Sequence, residues 1–405
     1  MKLPGTFQAL RHRNFRLLWI GLILSAAGTW MQIVAQSLLV LKLTRGSAFA
    51  LGVVSLAQAL SFFCFAPVGG GLADRRDKRK LLLVTQSLLM ALAFLLAGLT
   101  WAGAIRVWMI AALAFASGAV LSFDQPARNA LVTSLTPPKD LMNAVSLQAM
   151  VFHGAATVGP ALAGIAVAAG GYAGAFFLNG VSYLFVLAVL WKMRVEVTQG
   201  APQIRGGLLT SIREVLESVR ADPVLTGALS CAAAMLFFGP SSSLLLPVFA
   251  VSVLHLGPAQ LGLLFSAVGA GTVAGALTVA SLGDFRYKGR LLFACYAAWT
   301  LSLLAFSWSV SVWWSAAALV LLGAAQNAGS ATTITLMQSR VPAAMRGRVM
   351  SLNTLLIMGV RPLGDFPAGA LIAFVGGPLT ATLGAGVVGM YCFYAFVSRP
   401  ALRTA

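Results

Sequence analysis

The stretch Gly70-Gly71-Leu72-Ala73-Asp74-Arg75-Arg76-Asp77-Lys78-Arg79-Lys80 separates two apolar runs, 48–73 and 81–103. Five cations and two carboxylates in so short a segment cannot rest in hydrocarbon, so the chain surfaces here between two membrane crossings. A fainter copy follows. At an offset of 210, Leu72, Asp74, Arg76 and Lys78 match Leu282, Asp284, Arg286 and Lys288, flanked by Leu51-Gly52 against Leu261-Gly262 and Leu81-Leu82 against Leu291-Leu292. At an offset of 205, Pro137, Ser146-Leu147, Gly154, Gly159 and Ala163-Gly164 match Pro342, Ser351-Leu352, Gly359, Gly364 and Ala368-Gly369. Single identities between glycine- and leucine-rich helices arise by chance, but a D-x-R-x-K loop recurring just after an apolar run does not. A bundle built twice implies a site on the axis between the copies and halves that rock to open alternately.

Composition agrees with a chain that lives in a bilayer. Of 405 residues, 59% are hydrophobic and 9% charged, whereas soluble domains carry about 25% charged residues. Set against about 20 residues per crossing, the apolar runs number twelve: 15–41, 48–73, 81–103, 107–130, 142–169, 173–193, 224–254, 260–282, 290–310, 312–336, 348–374 and 377–397. The longest polar interruption falls between the sixth and seventh. The expected fold is therefore an all-α integral membrane protein of twelve transmembrane helices in two pseudo-symmetric six-helix bundles, 1–193 and 224–405, joined by a cytoplasmic linker, 194–223.

The net charge of +18 raises the question of nucleic acid. With the amino terminus inside, however, 24 of the 28 Lys and Arg residues fall in cytoplasmic segments, and only Lys42, Arg45 and Arg106 in external ones. The charge is thus read as a topology signal placing both termini in the cytoplasm, with no nucleic-acid partner. The first apolar run is too long for a signal-peptide core and is expected to stay in the protein. Cys64, Cys231, Cys295 and Cys392 are far apart within apolar runs, as packing residues are, and support neither a metal site nor a disulfide framework. Histidines at 12, 153 and 255 offer no nucleophile with its base, and no G-x-x-x-x-G-K-[ST] loop is present. An enzyme and an ATP-driven pump are both disfavoured.

The loop 70–80 resembles the signature between helices two and three of the major facilitator superfamily, G-x-L-a-D-r-x-G-r-k. Asp77 replaces the second glycine, as in that superfamily's drug and siderophore exporter branch, the enterobactin exporter and macrolide efflux-like group of transmembrane secretion effectors. Phe15-Arg16-Leu17-Leu18-Trp19, Gly28-Thr29-Trp30-Met31-Gln32, Leu43-Thr44, Gly159-Pro160-Ala161-Leu162-Ala163-Gly164 and Arg346-Gly347-Arg348-Val349-Met350-Ser351 are similar to the same branch. The resemblance implies a proton-driven inner-membrane exporter of a small amphiphilic organic molecule such as a siderophore or drug, working by alternating access without a bound cofactor. It further implies a cytoplasmic gate of Gly70, Asp74, Arg75, Arg79 and Asp124, to which Arg128, one turn from Asp124 near the cytoplasmic end of its run, and Asp284, the repeat of Asp74, are added. Within it Asp74 meets the amino end of the eleventh helix, and Arg75 or Arg79 meets Asp124. A carboxylate is stabilised at a helix amino terminus by the dipole and free N–H groups. Lipid handling and a transport-inactive receptor of the same fold stand as alternatives, and a monomer is expected.

Ionisable groups inside the runs cost about 2.5–3.5 kcal/mol each and need a reason. Arg361 and Asp365 share one helical face four residues apart, where the first half carries Ala156 and Pro160. Asp365 is a candidate proton-coupling carboxylate and Arg361 a candidate anchor for an anionic group; a structural pair locking helix eleven to a neighbour is the competing reading. His153, about 18 Å into its run at 1.5 Å per residue, is a candidate proton relay or a donor to a backbone carbonyl. Thr29, Gln32 and Gln36 form one polar stripe on the first run, which in the resembled superfamily lines the central cavity. Gln58, Asn179, Tyr183, Gln326 and Asn327 are further substrate-binding candidates, each also able to serve as interhelical glue. Trp30, Phe237 and Phe238 suit an aromatic or amphiphilic ligand.

Overall fold

The computed structural model describes residues 5–137, 140–193, 217, 219–282, 285–341, 349, 352–353 and 356–404. No strand occurs among them, and helices occupy the apolar runs, since hydrocarbon offers backbone N–H and C=O groups no partner except the helix itself. In chain order these are α1 (Arg13–Leu43), α2 (Ala48–Arg75), α3 (Lys78–Trp101), α4 (Val107–Leu135), α5 (Leu141–Lys192), α6 (Pro223–Phe238) and α7 (Ser242–Ser252). They are followed by α8 (Pro258–Leu282), α9 (Lys288–Ser307), α10 (Val312–Arg340), α11 (Arg361–Val375), α12 (Gly377–Ser398) and the short α13 (Pro400–Thr404). Among the described residues, nine segments are long and apolar enough to cross a membrane, one of them the 50-residue Asn143–Lys192.

Local chemistry sets the breaks. Asp77 caps α3 by accepting from the N–H groups of Arg79 and Lys80 at 2.9 and 3.2 Å, which explains a carboxylate at that point of the loop. In α5, Gly171 adopts φ 65° and ψ −173°, a conformation open essentially to glycine alone. It divides the 52-residue helix into two arms that match the runs 142–169 and 173–193. The single run expected at 224–254 is instead two helices, α6 and α7, separated at Gly239-Pro240-Ser241. Pro240 has no N–H to extend α6, and Ser241 starts α7 by accepting from the Leu244 N–H at 3.2 Å. The run expected at 348–374 also changes character: a π turn, Leu356–Val360, precedes α11, where Pro362 removes one helical donor.

The chain forms two compact units, Met1–Leu43 with Ala57–Ile204, and Thr44–Leu56 with Arg205–Ala405. In the first, Phe15, Leu18, Leu82, Leu131, Leu147 and Leu190 bring α1, α3, α4 and α5 into one buried cluster. Glycines allow the closest approaches: a Cβ on Gly28 would stand 2.6 Å from Asn179 Oδ1 and Ser182 Oγ, and one on Gly159 would meet Trp30 and the Ala27 carbonyl. In the second unit α8 and α10 interlock reciprocally. A methyl on Gly271 or Gly275 would strike the carbonyl of Val320 or Ala324, and one on Gly323 would strike that of Val268. The first half of α2 packs here as well, Gly52 facing Phe366 and Gly369 facing the Ala48 carbonyl.

Each unit carries a polar staple at the start of its first long helix. His12 Nε2 lies 2.8 Å from Asp140 Oδ2 in the first, and Arg340 donates to Asp222 across 3.4 Å in the second. His12 and Asp222 are themselves related by the 210-residue offset, although their partners Asp140 and Arg340 are not; only the first staple depends on histidine protonation. Outside, Leu88, Leu95, Phe177, Leu301, Leu321, Phe374 and Phe393 remain exposed, as lipid-facing positions are, and Trp101, Trp108, Trp308 and Trp313 are exposed at helix ends.

Replacing Gly323 with Ala is expected to lower stability in detergent by about 1–3 kcal/mol through overpacking. Gly98→Ala, where an added Cβ meets nothing within 4 Å, is expected to be neutral or stabilising. Thermal unfolding monitored by tryptophan fluorescence distinguishes the two, and equal shifts would contradict the interlock.

Candidate functional site

Asp124 on α4 is 0% exposed. Its Oδ1 accepts from the Thr85 hydroxyl at 2.8 Å and the Gln86 amide at 2.7 Å, both on α3, while Oδ2 accepts from the Arg128 guanidinium one turn along α4. Three donors, one of them charged, surround the carboxylate in a place where an unpaired charge would be costly. Gln86 Oε1 and Arg128 Nε are nonetheless buried without a partner among the described residues. Thr85 and Gln86 are additions to the expected site. Their signal was a polar triplet, Thr85-Gln86-Ser87, early in the apolar run 81–103.

Beside this network, α1 and the second arm of α5 share an amide and hydroxyl cluster. Asn179 donates to Gln32 Oε1 at 2.6 Å, Ser182 donates to Asn179 Oδ1 at 3.2 Å, and Thr29 Oγ1 lies 3.4 Å from the Tyr183 hydroxyl. Tyr183 is also within electrostatic reach of Asp124 and Arg128. Four of the expected substrate-binding residues, Thr29, Gln32, Asn179 and Tyr183, therefore come together, because Gly28 lets α1 approach Asn179 closely. Gln36 is half-buried on α1 and Gln58 is exposed on α2. In the second unit Asn327 donates to the Thr272 carbonyl at 3.1 Å, tying α10 to α8, and Gln326 is half-buried.

Of the two arginines expected to meet Asp124, one is placed elsewhere. Arg79 does not pair with Asp124: its Nε and Nη2 donate to the carbonyls of Leu190 and Trp191 at 2.6 and 2.8 Å, capping the last turn of α5. The free carbonyls of a helix end compete well for a nearby cation, and Arg128 already occupies Asp124. Gly70 is described only as part of the α2 backbone, and the side chains of Asp74, Arg75 and His153 and the whole of Asp284 lie outside the described residues.

The intrahelical pair expected of Arg361 and Asp365 also takes another form. Asp365 is 5% exposed, and its Oδ1 accepts from the main-chain N–H of Ser241 at 2.9 Å, at the amino end of α7. Gly364 makes this possible. A Cβ there would collide with the Phe237 carbonyl, so α11 lies close to the end of α6 and its next residue reaches the break before α7. Arg361 stays within electrostatic reach of Asp365 without a direct ion pair, and its Nε is buried with no partner among the described residues. Cys231 on α6 and Cys392 on α12 are side by side and free, an adjacency their spacing did not announce.

The family described as transmembrane secretion effector matches residues 4–404. Over 287 residues the chain is 27% identical to the uncharacterized MFS-type transporter YfiS of Bacillus subtilis, covering 69% of this chain and 66% of that protein. Over 382 residues it is 25% identical to the enterobactin exporter EntS of Citrobacter koseri, covering 93% and 89% respectively. Among solved structures, an inward-facing bacterial homolog of the human lysosomal transporter Spinster superposes with a TM-score of 0.71 at 14% identity, covering 96% of this chain and 95% of that one. At that identity the likeness shows the fold.

Removing Arg128 alone, as Arg128→Met, leaves the Asp124 charge buried and is expected to cost about 3–5 kcal/mol. The double variant Asp124→Leu/Arg128→Met is expected to recover much of that loss. A double-mutant cycle on detergent stability checks the coupling, and strict additivity would show that the pair carries no mutual energy.

Proposed function

Because the chain belongs to the transmembrane secretion effector family of major facilitator transporters, we propose that it is a proton-coupled exporter of a small amphiphilic organic molecule of the siderophore or drug type. It is a multi-pass membrane transporter and not an enzyme. Export is supported by similarity to EntS along nearly the whole chain. Placement of both termini in the cytoplasm is supported by the bias of 24 cytoplasmic cations against three external ones, and an inner-membrane location by the similarity to the bacterial exporter EntS.

The observation that carries the coupling is the fully buried Asp124 with its three donors. Protonation removes the charge that Arg128, Thr85 and Gln86 are arranged around, and leaves Arg128 as an uncompensated cation beside an already orphaned Nε. A state that hydrates this cluster then becomes favoured, so the proton shifts the balance between two conformations by its differential affinity for them. Asp365 is the less suitable coupling group on this reading, because its carboxylate ties α11 to the start of α7 and serves the fold.

Purified protein in proteoliposomes tests the proposal with catecholate siderophores and aromatic dyes as cargo. Saturable transport that collapses when the pH gradient is dissipated is the expected result. Asp124→Asn is expected to lose gradient-driven transport by at least about tenfold while retaining cargo exchange at equal pH, since exchange needs no net proton movement. Cargo binding without flux would instead favour a receptor, and lysolipid binding with flux a lipid transporter.

A further inference from the structure

We infer that Arg361 is an anion anchor and that the cargo carries a carboxylate or comparably planar anionic group. The inference rests on the exporter reading and narrows its substrate class. Its basis is the way the second unit distributes charge around the start of α11. Asp365, the carboxylate one turn away, is engaged by the Ser241 N–H at 2.9 Å and forms no direct ion pair with Arg361. The guanidinium makes no hydrogen bond or ion pair among the described residues, and its Nε is buried without a partner. A cation inside a membrane bundle whose Nε is buried without a partner among the described residues is expensive to keep unless something binds it. Arginine's fork matches a carboxylate with two parallel hydrogen bonds, which an ammonium does not.

The local backbone points the same way. Arg361 follows the π turn Leu356–Val360 and precedes Pro362. A π turn inserts a residue into the helical register and re-aims the side chains beyond it, and such turns concentrate at functional sites. One turn farther, Gly364 seats α11 against the main chain of Phe237. The rings of Phe237 and Phe238, 5.0 Å apart in an edge-to-face pair, remain 38% and 46% exposed. A guanidinium on α11 without a partner among the described residues and uncovered aromatic surface on the adjoining end of α6 together match an aromatic anion better than a sugar or an aromatic cation.

Equilibrium dialysis of the detergent-purified protein against 2-naphthoate and its uncharged near-isostere 2-naphthamide tests the assignment. Wild type is expected to bind the carboxylate at least about tenfold more tightly than the carboxamide, the difference a charge-assisted bidentate contact makes. Arg361→Gln is expected to erase that preference and leave carboxamide binding unchanged. Arg361→Lys, which keeps the charge without the fork, is expected to retain part of it, and unchanged thermal unfolding of both variants excludes misfolding. A wild type that binds neither probe or does not discriminate, or an Arg361→Gln variant that still discriminates, overturns the inference. Gradient-driven flux of the same two probes separates the readings: discrimination without flux removes the exporter and keeps the anchor, and flux without discrimination does the reverse.

Discussion

Inside hydrocarbon a polar side chain has no water to fall back on, and each buried donor or acceptor must find its partner within the chain. That requirement organises both units. Asp124 can be fully buried because α3 presents Thr85 and Gln86 to one oxygen while Arg128 meets the other. Asp365 can be buried because the interruption between α6 and α7 exposes a main-chain N–H at its level. Asn179 satisfies Gln32 in the same manner, and Asn327 reaches the Thr272 carbonyl. Among the described residues the rule is broken at Gln86 Oε1, Arg128 Nε and Arg361 Nε, beside the residues to which we assign coupling and cargo, and also at Trp299 Nε1 and Thr300 Oγ1 on α9.

These partnerships depend on close approach, and glycine provides it. Gly28 brings α1 within reach of Asn179, Gly364 brings α11 to the end of α6, and the Gly271, Gly275 and Gly323 set lets α8 and α10 touch through their backbones. In lipid there is no hydrophobic force between helices, so dispersion between closely fitted backbones and the hydrogen bonds they permit carry the association. Broken helices use the same economy: Gly171 turns the chain within α5, and Pro240 frees the segment that Asp365 then engages.

The repeat is structural more than chemical. Both units open with a polar staple in which one partner is equivalent, His12 with Asp140 and Asp222 with Arg340, His12 and Asp222 being 210 residues apart. Deeper in, the copies diverge. The buried ion pair and the amide cluster belong to the first unit, and to the second belong Arg361, without a hydrogen-bond partner among the described residues, and Asp365, whose counterparts in the first half are Ala156 and Pro160. On our reading the first unit handles the proton and the second an anionic group of the cargo. Coupling then runs through the conformational equilibrium and requires no competition for a single side chain.

Much of this was legible in the residues themselves. Hydrophobic runs placed the helices, because burying the backbone in lipid leaves few alternatives to a helix, and the offset loops revealed the duplication. The i, i+4 spacing identified Asp124 with Arg128 and singled out Arg361 with Asp365, because 3.6 residues per turn settles which side chains share a face of one helix. What that spacing cannot settle is the neighbour. Whether Arg79 reaches Asp124 or the end of α5, and whether Asp365 turns to Arg361 or to Ser241, depends on how each helix is rotated and how near the next one stands. Those distances come from glycine contacts and proline breaks hundreds of residues apart in some cases. The sequence alone thus determined which residues had to be satisfied inside the membrane, and only the tertiary structure decided by whom.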